Sequence, residues 1–299
     1  MAKRKIKLST EDHVMNSIAN VIVIICLITT LYPLWYCVVY AFNDGIDSIK
    51  GGVYFWPRVP TLDNFALVLR NGKFISAFFV TLARTVLGTV LSVSVLMLAS
   101  YSLSKKKLYF RNFYKFLYVI ASYIGGGTIP YYLTLRNLGL LNSFWVYILP
   151  GMGASLYNMM LVQAFMRELP DSLEESAIID GCGYFKSFLK IIVPLCKPII
   201  ATMALFAAVG HWNDWYSTAY YTTSESLMTL STYLTKLIQE EMARLSAQSQ
   251  AQYSVTKAML GAEALRYAAL VLTIAPIICI YPFCQKYFVK GMLVGSVKA

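Results

Sequence analysis

The segment from Glu168 to Pro198 is amphipathic and charged. Its first half is acidic, and Lys186 and Lys190 follow in the second half. The segment lies between two apolar runs that are long enough to cross a membrane. We therefore expect it to lie on a membrane surface, with its ionised side chains in water.

Local signals within this segment predict a helix, a turn and a second helix. Ser172 and Glu175 have the spacing of a capping box, in which each side chain bonds a backbone N–H at the start of a helix. Gly181 and Gly183 are expected to end that helix, because glycine readily adopts the left-handed backbone found there. A second helix is predicted over 184–193, and Pro198 suits the first turn of the next helix.

A second candidate site lies at the end of a later apolar run, Pro198–Tyr216. His211 and Asp214 are three residues apart and share a helical face, but no third metal ligand is apparent, so a metal site is not predicted. Trp212, Asn213 and Trp215 offer aromatic faces on which sugar rings stack and an amide that bonds hydroxyl groups. These residues either line a substrate pathway or brace the helix against a partner, and the sequence leaves both alternatives open.

Several classes of enzyme lack the residues that they would need. The sequence contains no G-x-x-x-x-G-K-[ST] motif, so the chain is not expected to bind ATP or Mg²⁺ through a P-loop. The apolar runs contain no acidic pair, no nucleophile with a base and no cluster of metal ligands. None of the six cysteines forms a CxxC pair, so neither a disulfide framework nor a zinc site is predicted.

The composition indicates a polytopic membrane protein. Of the 299 residues, 58% are hydrophobic and 14% are charged, and the mean hydropathy is +0.57. A soluble domain carries about 25% charged residues. The net charge of +11 does not predict nucleic-acid binding, because no basic stripe alternates with exposed aromatic residues. The first apolar run is longer than the core of a signal peptide and is predicted to be a retained helix.

Six apolar runs approach or exceed the length of about 20 residues that a membrane-spanning helix needs. Lipid offers no hydrogen-bond partners to the backbone, so all six are predicted to be helices and the fold class is all-α. The runs are Ile18–Phe42, Phe78–Leu103, Phe113–Leu135, Val146–Phe165, Pro198–Tyr216 and Arg266–Phe283. In the third run, Gly125, Gly126, Gly127 and Pro130 predict a break, where Gly126 and Gly127 either allow close helix packing or line a pathway.

The positions of lysine and arginine predict the orientation. With the N-terminus inside, the cytoplasmic segments hold sixteen of them and the outside segments hold eight. The prediction is a cytoplasmic tail over 1–17, a six-helix permease domain over 18–288 and a cytoplasmic tail over 289–299. Within that domain, 167–198 faces the cytoplasm and 222–262 faces outwards.

The segment first described resembles the EAA loop of ABC importer permeases. The residues that carry the resemblance are Leu173, Glu174, Glu175, Ser176, Ala177, Asp180, Gly181, Phe185, Phe188, Pro194 and Pro198. The resemblance implies a coupling helix that docks into a groove on a cytoplasmic ATPase subunit, with all of these except Phe188 and Pro198 as the coupling residues. Ser176 and Cys182 stand where alanine is common in the family, and both are small.

Further motifs extend the resemblance over nearly the whole chain, to carbohydrate permeases of the MalG-like class and to their LplC/YtcP-like branch for complex saccharides. They are Gly126–Pro130, Leu138–Leu140, Leu149–Gly151, His211–Asn213, Gln285–Gly291 and Gly295–Lys298. This resemblance implies a type I importer in a bacterial plasma membrane. The implied partners are a second permease subunit, two ATPase subunits that bind ATP and Mg²⁺, and an extracytoplasmic binding protein that delivers an oligosaccharide.

An ion-coupled secondary transporter is the alternative from another mechanistic class. Such a transporter requires carboxylates within the membrane to couple proton or sodium movement. The central parts of the apolar runs contain none, because Asp214 and Glu263 lie at the edges of their runs. A membrane-bound enzyme is a third alternative, but the catalytic residues that it needs are not found.

The orientation can be tested with single-cysteine variants and a thiol reagent that does not cross the membrane. In sealed cells, we expect Lys106→Cys and the native Cys182 to remain unmodified and Gln250→Cys to react, because the lysine and arginine distribution places only position 250 outside. Modification of Cys182 from outside would reverse the predicted orientation.

Overall fold

The computed structural model describes residues 10–48, 50–153, 155–248 and 262–296. These residues form helices and turns, and β-pairing among them is limited to one antiparallel bridge between Asn43 and Pro60. The chain divides into two compact units. One unit comprises 1–70 with 244–272, and the other comprises 71–243 with 273–299. The predicted tails and the outer part of the 222–262 loop fall partly outside the described residues.

The first unit is built on a long apolar helix, α1 (Thr10–Ala41), with short helices α2 (Gly45–Ser48) and α3 (Asp63–Arg70) after it. It also contains the start of α14 (Ala262–Ser296). The ring of Tyr267 on α14 lies 5.3 Å from the ring of Tyr40 on α1. The ring of Tyr36, one turn earlier on α1, packs at a tilt on Tyr40 and edge-on against Tyr267. Aromatic contacts therefore join these two helices.

The loop after α1 is organised by one buried asparagine. Asn43 accepts a hydrogen bond from the backbone N–H of Val59 at 3.0 Å and donates to Asp47 at 3.2 Å. Its own carbonyl accepts a hydrogen bond from Asn64 at 2.8 Å. The bond from Asn43 and the nearby Arg58 guanidinium hold the pKa of Asp47 below its usual range. These hydrogen bonds hold the loop in an ordered arrangement of turns.

The second unit is built around α4 (Gly72–Ser104), a continuous helix of 33 residues. Its remaining α-helices are α5 (Arg111–Tyr123), α6 (Thr128–Asn137), α7 (Leu156–Arg167), α8 (Asp171–Ile179), α9 (Tyr184–Ser187), α10 (Val193–Leu195), α11 (Lys197–Asn213), α12 (Tyr216–Tyr221) and α13 (Leu230–Gln248). The main apolar core lies where α4 packs against α7 and α11, with Met97, Val162 and Met203 buried there. Helix α4 therefore forms the core of this unit together with α7 and α11.

Three helices of the described chain are long and apolar enough to span a membrane: Val14–Ala41, Gly72–Ser104 and Glu263–Pro282. The number rises to five if each of two bent helix pairs is one span. The predicted third span is broken over residues 124–127 into α5 and α6, as the glycine run predicted, and neither piece is long enough alone. All-helical spans are thus confirmed, whereas a count of six is not reached by this measure.

The predicted fourth span, Val146–Phe165, is wrong as a continuous helix. Its first part consists of two short 3-10 turns, Phe144–Tyr147 and Pro150–Met152, and α7 begins only at Leu156. Pro150 removes a backbone donor, and the glycines on either side of Met152 favour irregular backbone. The segment is apolar as predicted, but its proline and glycines divide it.

A glycine allows α11 to approach α4 closely. An ideal Cβ built on Gly88 of α4 would lie 2.6 Å from Nε2 of His211 on α11, and one on Gly151 would lie 3.3 Å from the same ring. Real Cβ atoms do not approach other atoms within 3.0 Å. The imidazole ring of His211 therefore occupies the space that a side chain at position 88 would need.

Replacing Gly88 is expected to destabilise the packing of α4 against α11. Gly88→Ala should lower the free energy of unfolding by about 1–3 kcal/mol, the usual cost of overpacking a core. His211→Ala in the same chain should restore most of that loss. Thermal unfolding in detergent measures both effects. Gly210→Ala is the matched control, because no atom lies within 4 Å of its ideal Cβ and alanine favours a helix.

Candidate functional site

The charged segment forms the helix–turn–helix that the sequence predicted, but its start differs. Helix α8 begins at Asp171, and Pro170 occupies the N-cap position without a side-chain capping bond. The predicted capping box is therefore wrong. The extended backbone of Pro170 starts the helix early, so Ser172 lies in its first turn, where its carbonyl accepts a hydrogen bond from the Ser176 hydroxyl at 2.8 Å.

The end of α8 has the hydrogen bonds of a Schellman motif. The N–H of Cys182 donates to the carbonyl of Ala177 at 2.8 Å, and the N–H of Gly181 donates to the carbonyl of Ile178 at 3.0 Å. Gly181 has a φ of +78°, a backbone conformation in which a residue with a Cβ is strained. The prediction that Gly181 ends the helix is confirmed, because its backbone angle permits this turn. The same prediction for Gly183 is wrong: this residue has a φ of −66° and precedes α9 as its N-cap.

The second limb runs further than predicted. It continues through a π-helical turn, Phe188–Ile192, to the end of α10 at Leu195, beyond Pro194. Because Pro194 has no N–H, the helix cannot make its regular bond at that position. The N–H of Val193 bonds instead to the carbonyl of Phe188, five residues back. The limb then bends by 82° into α11, whose second residue is Pro198 as predicted.

The fold separates the predicted coupling residues into two groups. The exposed ones are Leu173, Glu175, Ser176, Asp180, Gly181, Phe185 and Pro194. Two others face their own chain: Ala177 is buried and Glu174 is partly buried. The neighbouring Ile179, which the sequence analysis did not single out, is 85% exposed. The exposed group, with Ile179, forms a surface that combines apolar and acidic side chains and can receive another protein.

A cavity of about 470 Å³ lies between α4, α7 and α11. Its polar lining consists of Arg84, Ser92, Tyr131, Tyr147, Ser155, Asn158, His211, Asp214 and Ser217. Hydroxyl, amide and imidazole groups in this number suit a ligand that carries many hydroxyl groups. No group of three metal-ligating side chains is found anywhere in the described part of the chain, around His211 included.

One ion pair dominates the electrostatics of this cavity. Arg84 on α4 pairs with the carboxylate of Asp214 at the end of α11, and it donates to the Asp214 carbonyl at 2.9 Å. The Arg84 guanidinium also lies 4.6 Å from the ring centre of Tyr147. The sequence analysis did not identify Arg84. The available signal was an arginine inside an apolar run, which usually marks a functional or paired position.

The residues predicted to form a substrate pathway lie beside this cavity rather than in its wall. Trp212 is buried, and its indole N–H donates to the carbonyl of Thr273 at 3.2 Å. Asn213 and Trp215 are exposed. Gly126 and Gly127 are exposed in the break between α5 and α6. The cavity is lined instead by the neighbours of these residues on the same segment, among them His211 and Asp214.

The chain matches the family described as "Binding-protein-dependent transport system inner membrane component" over residues 14–294. The chain belongs to this family. The permease is 33% identical to the protein LplC of Bacillus subtilis over 270 residues, which are 90% of each chain. It is 30% identical to the polygalacturonan/rhamnogalacturonan transport system permease protein YtcP of the same species, over 89% of this chain and 92% of that protein.

A solved structure supports the same assignment. The permease superposes on a chain from a bacterial ABC transporter involved in the import of the acidic polysaccharide alginate, with a TM-score of 0.83 and 28% identity, covering 95% of this chain and 100% of that one. The predicted ABC importer permease fold and the predicted resemblance to LplC and YtcP are confirmed. The permease is therefore the membrane component of a transport system rather than its enzyme.

Removing one member of the buried ion pair is expected to destabilise the permease. The Arg84 side chain is 3% exposed, so Asp214→Ala leaves a buried charge without its partner, a loss of about 3–5 kcal/mol. The double variant Arg84→Met/Asp214→Ala should recover most of the stability. Thermal unfolding of the wild type, Arg84→Met, Asp214→Ala and the double variant completes a double-mutant cycle.

The exposed pair of Lys73 and Glu225 provides the control for this cycle. Both of its side chains are more than half exposed, so Glu225→Ala should cost at most about 1 kcal/mol. Equal losses at the two pairs would show that Arg84 and Asp214 do not depend on each other inside the membrane.

Proposed function

We propose that this permease is one half of a heterodimeric type I importer that moves an oligosaccharide or a fragment of a complex carbohydrate into the cytoplasm by ATP-driven alternating access. The observation that carries the proposal is the helix–turn–helix of α8 and α9, because its exposed face combines apolar and acidic side chains on a rigid turn. Family membership and the likeness to LplC, YtcP and the alginate transporter chain support it.

In this proposal, the exposed face of α8 and α9 docks into a groove on an ATPase subunit. Leu173, Ile179 and Phe185 supply the apolar contacts, and Glu175 and Asp180 supply charge. ATP and Mg²⁺ bind to two copies of that subunit and not to the permease. Conformational change in the ATPase pair is transmitted through the docked face to the membrane helices.

The proposed orientation has both termini and the 167–198 loop in the cytoplasm and the 222–262 loop outside, near the binding protein. The described beginning of this loop contacts the start of α4. The backbone N–H of Leu230 donates to the Thr81 hydroxyl at 2.8 Å, and Lys73 pairs with Glu225 at 2.9 Å. The hydrogen bond and charge of Lys73 lower the pKa of Glu225.

The saccharide class follows from the cavity chemistry and from what the relatives transport. Arg84 is neutralised by Asp214, so the wall offers hydroxyl, amide and aromatic groups without a large net charge. Such groups bond sugar hydroxyls and stack on sugar rings. In this proposal the saccharide passes along the cavity, and Asn213 and Trp215 lie beside it.

The decisive experiment is purification of the permease from its native membrane, followed by ATP hydrolysis assays of the reconstituted assembly with its binding protein. We expect a second permease and an ATPase subunit to copurify, and ATP hydrolysis to rise with one class of oligosaccharide from a panel of neutral and uronic-acid chains. Gly181→Asp should release the ATPase subunit, because a side chain strains this turn.

Gly183→Ala is the matched control for that variant. Gly183 has an ordinary backbone angle and open space around its ideal Cβ, so this variant should keep the ATPase subunit. The proposed function would be contradicted if the permease purified without an ATPase subunit. It would also be contradicted if no saccharide changed the rate of ATP hydrolysis by the assembly.

A further inference from the structure

We propose that Glu174 acts on helix α4 of its own chain, and that Tyr101, Lys105 and Glu174 form the joint through which movement of the coupling helix reaches the membrane helices. We call these three residues the α4 joint. The inference rests on the proposed function, because it assumes that α8 docks on an ATPase. It assigns to Glu174 a different role from that of the exposed residues around it.

The α4 joint is closed by contacts to both carboxylate oxygens of Glu174. The Tyr101 hydroxyl donates to Oε1 at 2.7 Å, and Nζ of Lys105 pairs with Oε2. Nζ of Lys105 also lies 4.2 Å from the centre of the Tyr101 ring. Each member of the joint therefore contacts both of the others. A charged donor and a hydroxyl on one carboxylate make a directional contact that a single surface ion pair lacks.

Burial distinguishes this contact from the other charges on the loop. The side chain of Glu174 is 13% exposed and that of Lys105 is 26% exposed, and Tyr101 is buried. The adjacent Glu175 is exposed. Solvent screens a partly buried pair less than an exposed one, so the joint holds α8 more firmly than a surface pair does.

The joint also reaches the second limb of the loop. The Tyr101 hydroxyl lies 3.2 Å from the carbonyl of Tyr184, the first residue of α9. The rings of Tyr101 and Phe188 pack with their centres 4.9 Å apart. Tyr101 therefore contacts both limbs of the helix–turn–helix, so that displacement of either limb presses on the same residue of α4.

Helix α4 then carries that displacement to the cavity. It is continuous from Gly72 to Ser104, a length of about 50 Å at 1.5 Å per residue. Arg84, about five turns from the joint along this helix, pairs with Asp214 in the cavity wall. Thr81, slightly further along, bonds the start of α13. One rigid helix thus connects the coupling loop, the cavity and the outer loop.

Loss of the contacts in the α4 joint is expected to cause a specific defect in transport. Without it, the ATPase still binds the exposed face of α8 and hydrolyses ATP, but α8 moves without moving α4. Transport should then fall relative to ATP hydrolysis, whereas the composition of the assembly should not change. Loss of a residue that touches the ATPase gives the opposite pattern, because the subunit itself is lost.

The test uses the complete importer in proteoliposomes and measures saccharide uptake, ATP hydrolysis and the amount of ATPase subunit retained. For Glu174→Gln and for Lys105→Met, we expect uptake per ATP to fall about fivefold or more, the lower end of typical coupling between sites, with the ATPase subunit retained. The charge-reversed pair Glu174→Lys/Lys105→Glu should restore coupling. That rescue separates loss of the pair from a general folding defect.

Two further variants complete the design. Glu175→Gln, on the exposed face, should lower the amount of ATPase retained and leave uptake per ATP unchanged. Glu168→Gln, an exposed glutamate outside the docking surface, should change neither quantity. Unchanged uptake per ATP in Glu174→Gln and Lys105→Met would overturn the α4 joint, as would loss of the ATPase subunit in Glu174→Gln. A wild-type assembly without ATP hydrolysis would overturn the proposed function and the joint together.

Discussion

The rest of the second unit depends on one electrostatic constraint, the need to pair a charge that is buried among apolar helices. Arg84 lies within an apolar run, and a guanidinium is too costly to leave unpaired there. Asp214 supplies the counter-charge from the end of α11. This requirement fixes where α11 stops against α4, and it places the polar groups of His211, Asp214 and Ser217 around one cavity.

Helices α4 and α11 pack closely beside that ion pair because α4 carries a glycine, Gly88, at the contact. Gly88 lies one turn along α4 from Arg84, and the His211 ring fills the space where its side chain would lie. Buried apolar residues on α7 and α11 complete the interface with α4. Because α4 is a single unbroken helix, the pair that organises the cavity and the joint that holds the coupling loop lie on one rigid body.

The coupling loop, residues 167–198, has one side exposed and one side packed against its own chain. Helix α8 has one exposed face, while Ala177 packs inwards and Glu174 turns towards α4. The Schellman motif at Gly181 sets the angle between the two limbs. The π-helical turn then adjusts the second limb to Pro194, which cannot donate a backbone hydrogen bond. Backbone chemistry thus determines the shape of the loop, and side-chain burial determines which residues remain free to bind.

The sequence by itself determined the features that depend on local chemistry and composition. These were the apolar spans, the break at Gly125–Gly127, the helix end at Gly181, the start of α11 near Pro198 and the family to which the permease belongs. The predicted capping role of Ser172 was wrong, because the rigid backbone of Pro170 starts α8 early. The predicted continuous helix over Val146–Phe165 was wrong, because proline and glycine divide the run. Only the tertiary structure decided which carboxylates face inwards, because Glu174 meets Lys105 from 69 residues away and Asp214 meets Arg84 from 130. Residue spacing fixes the local geometry of a helix, whereas the face it buries depends on what packs against it.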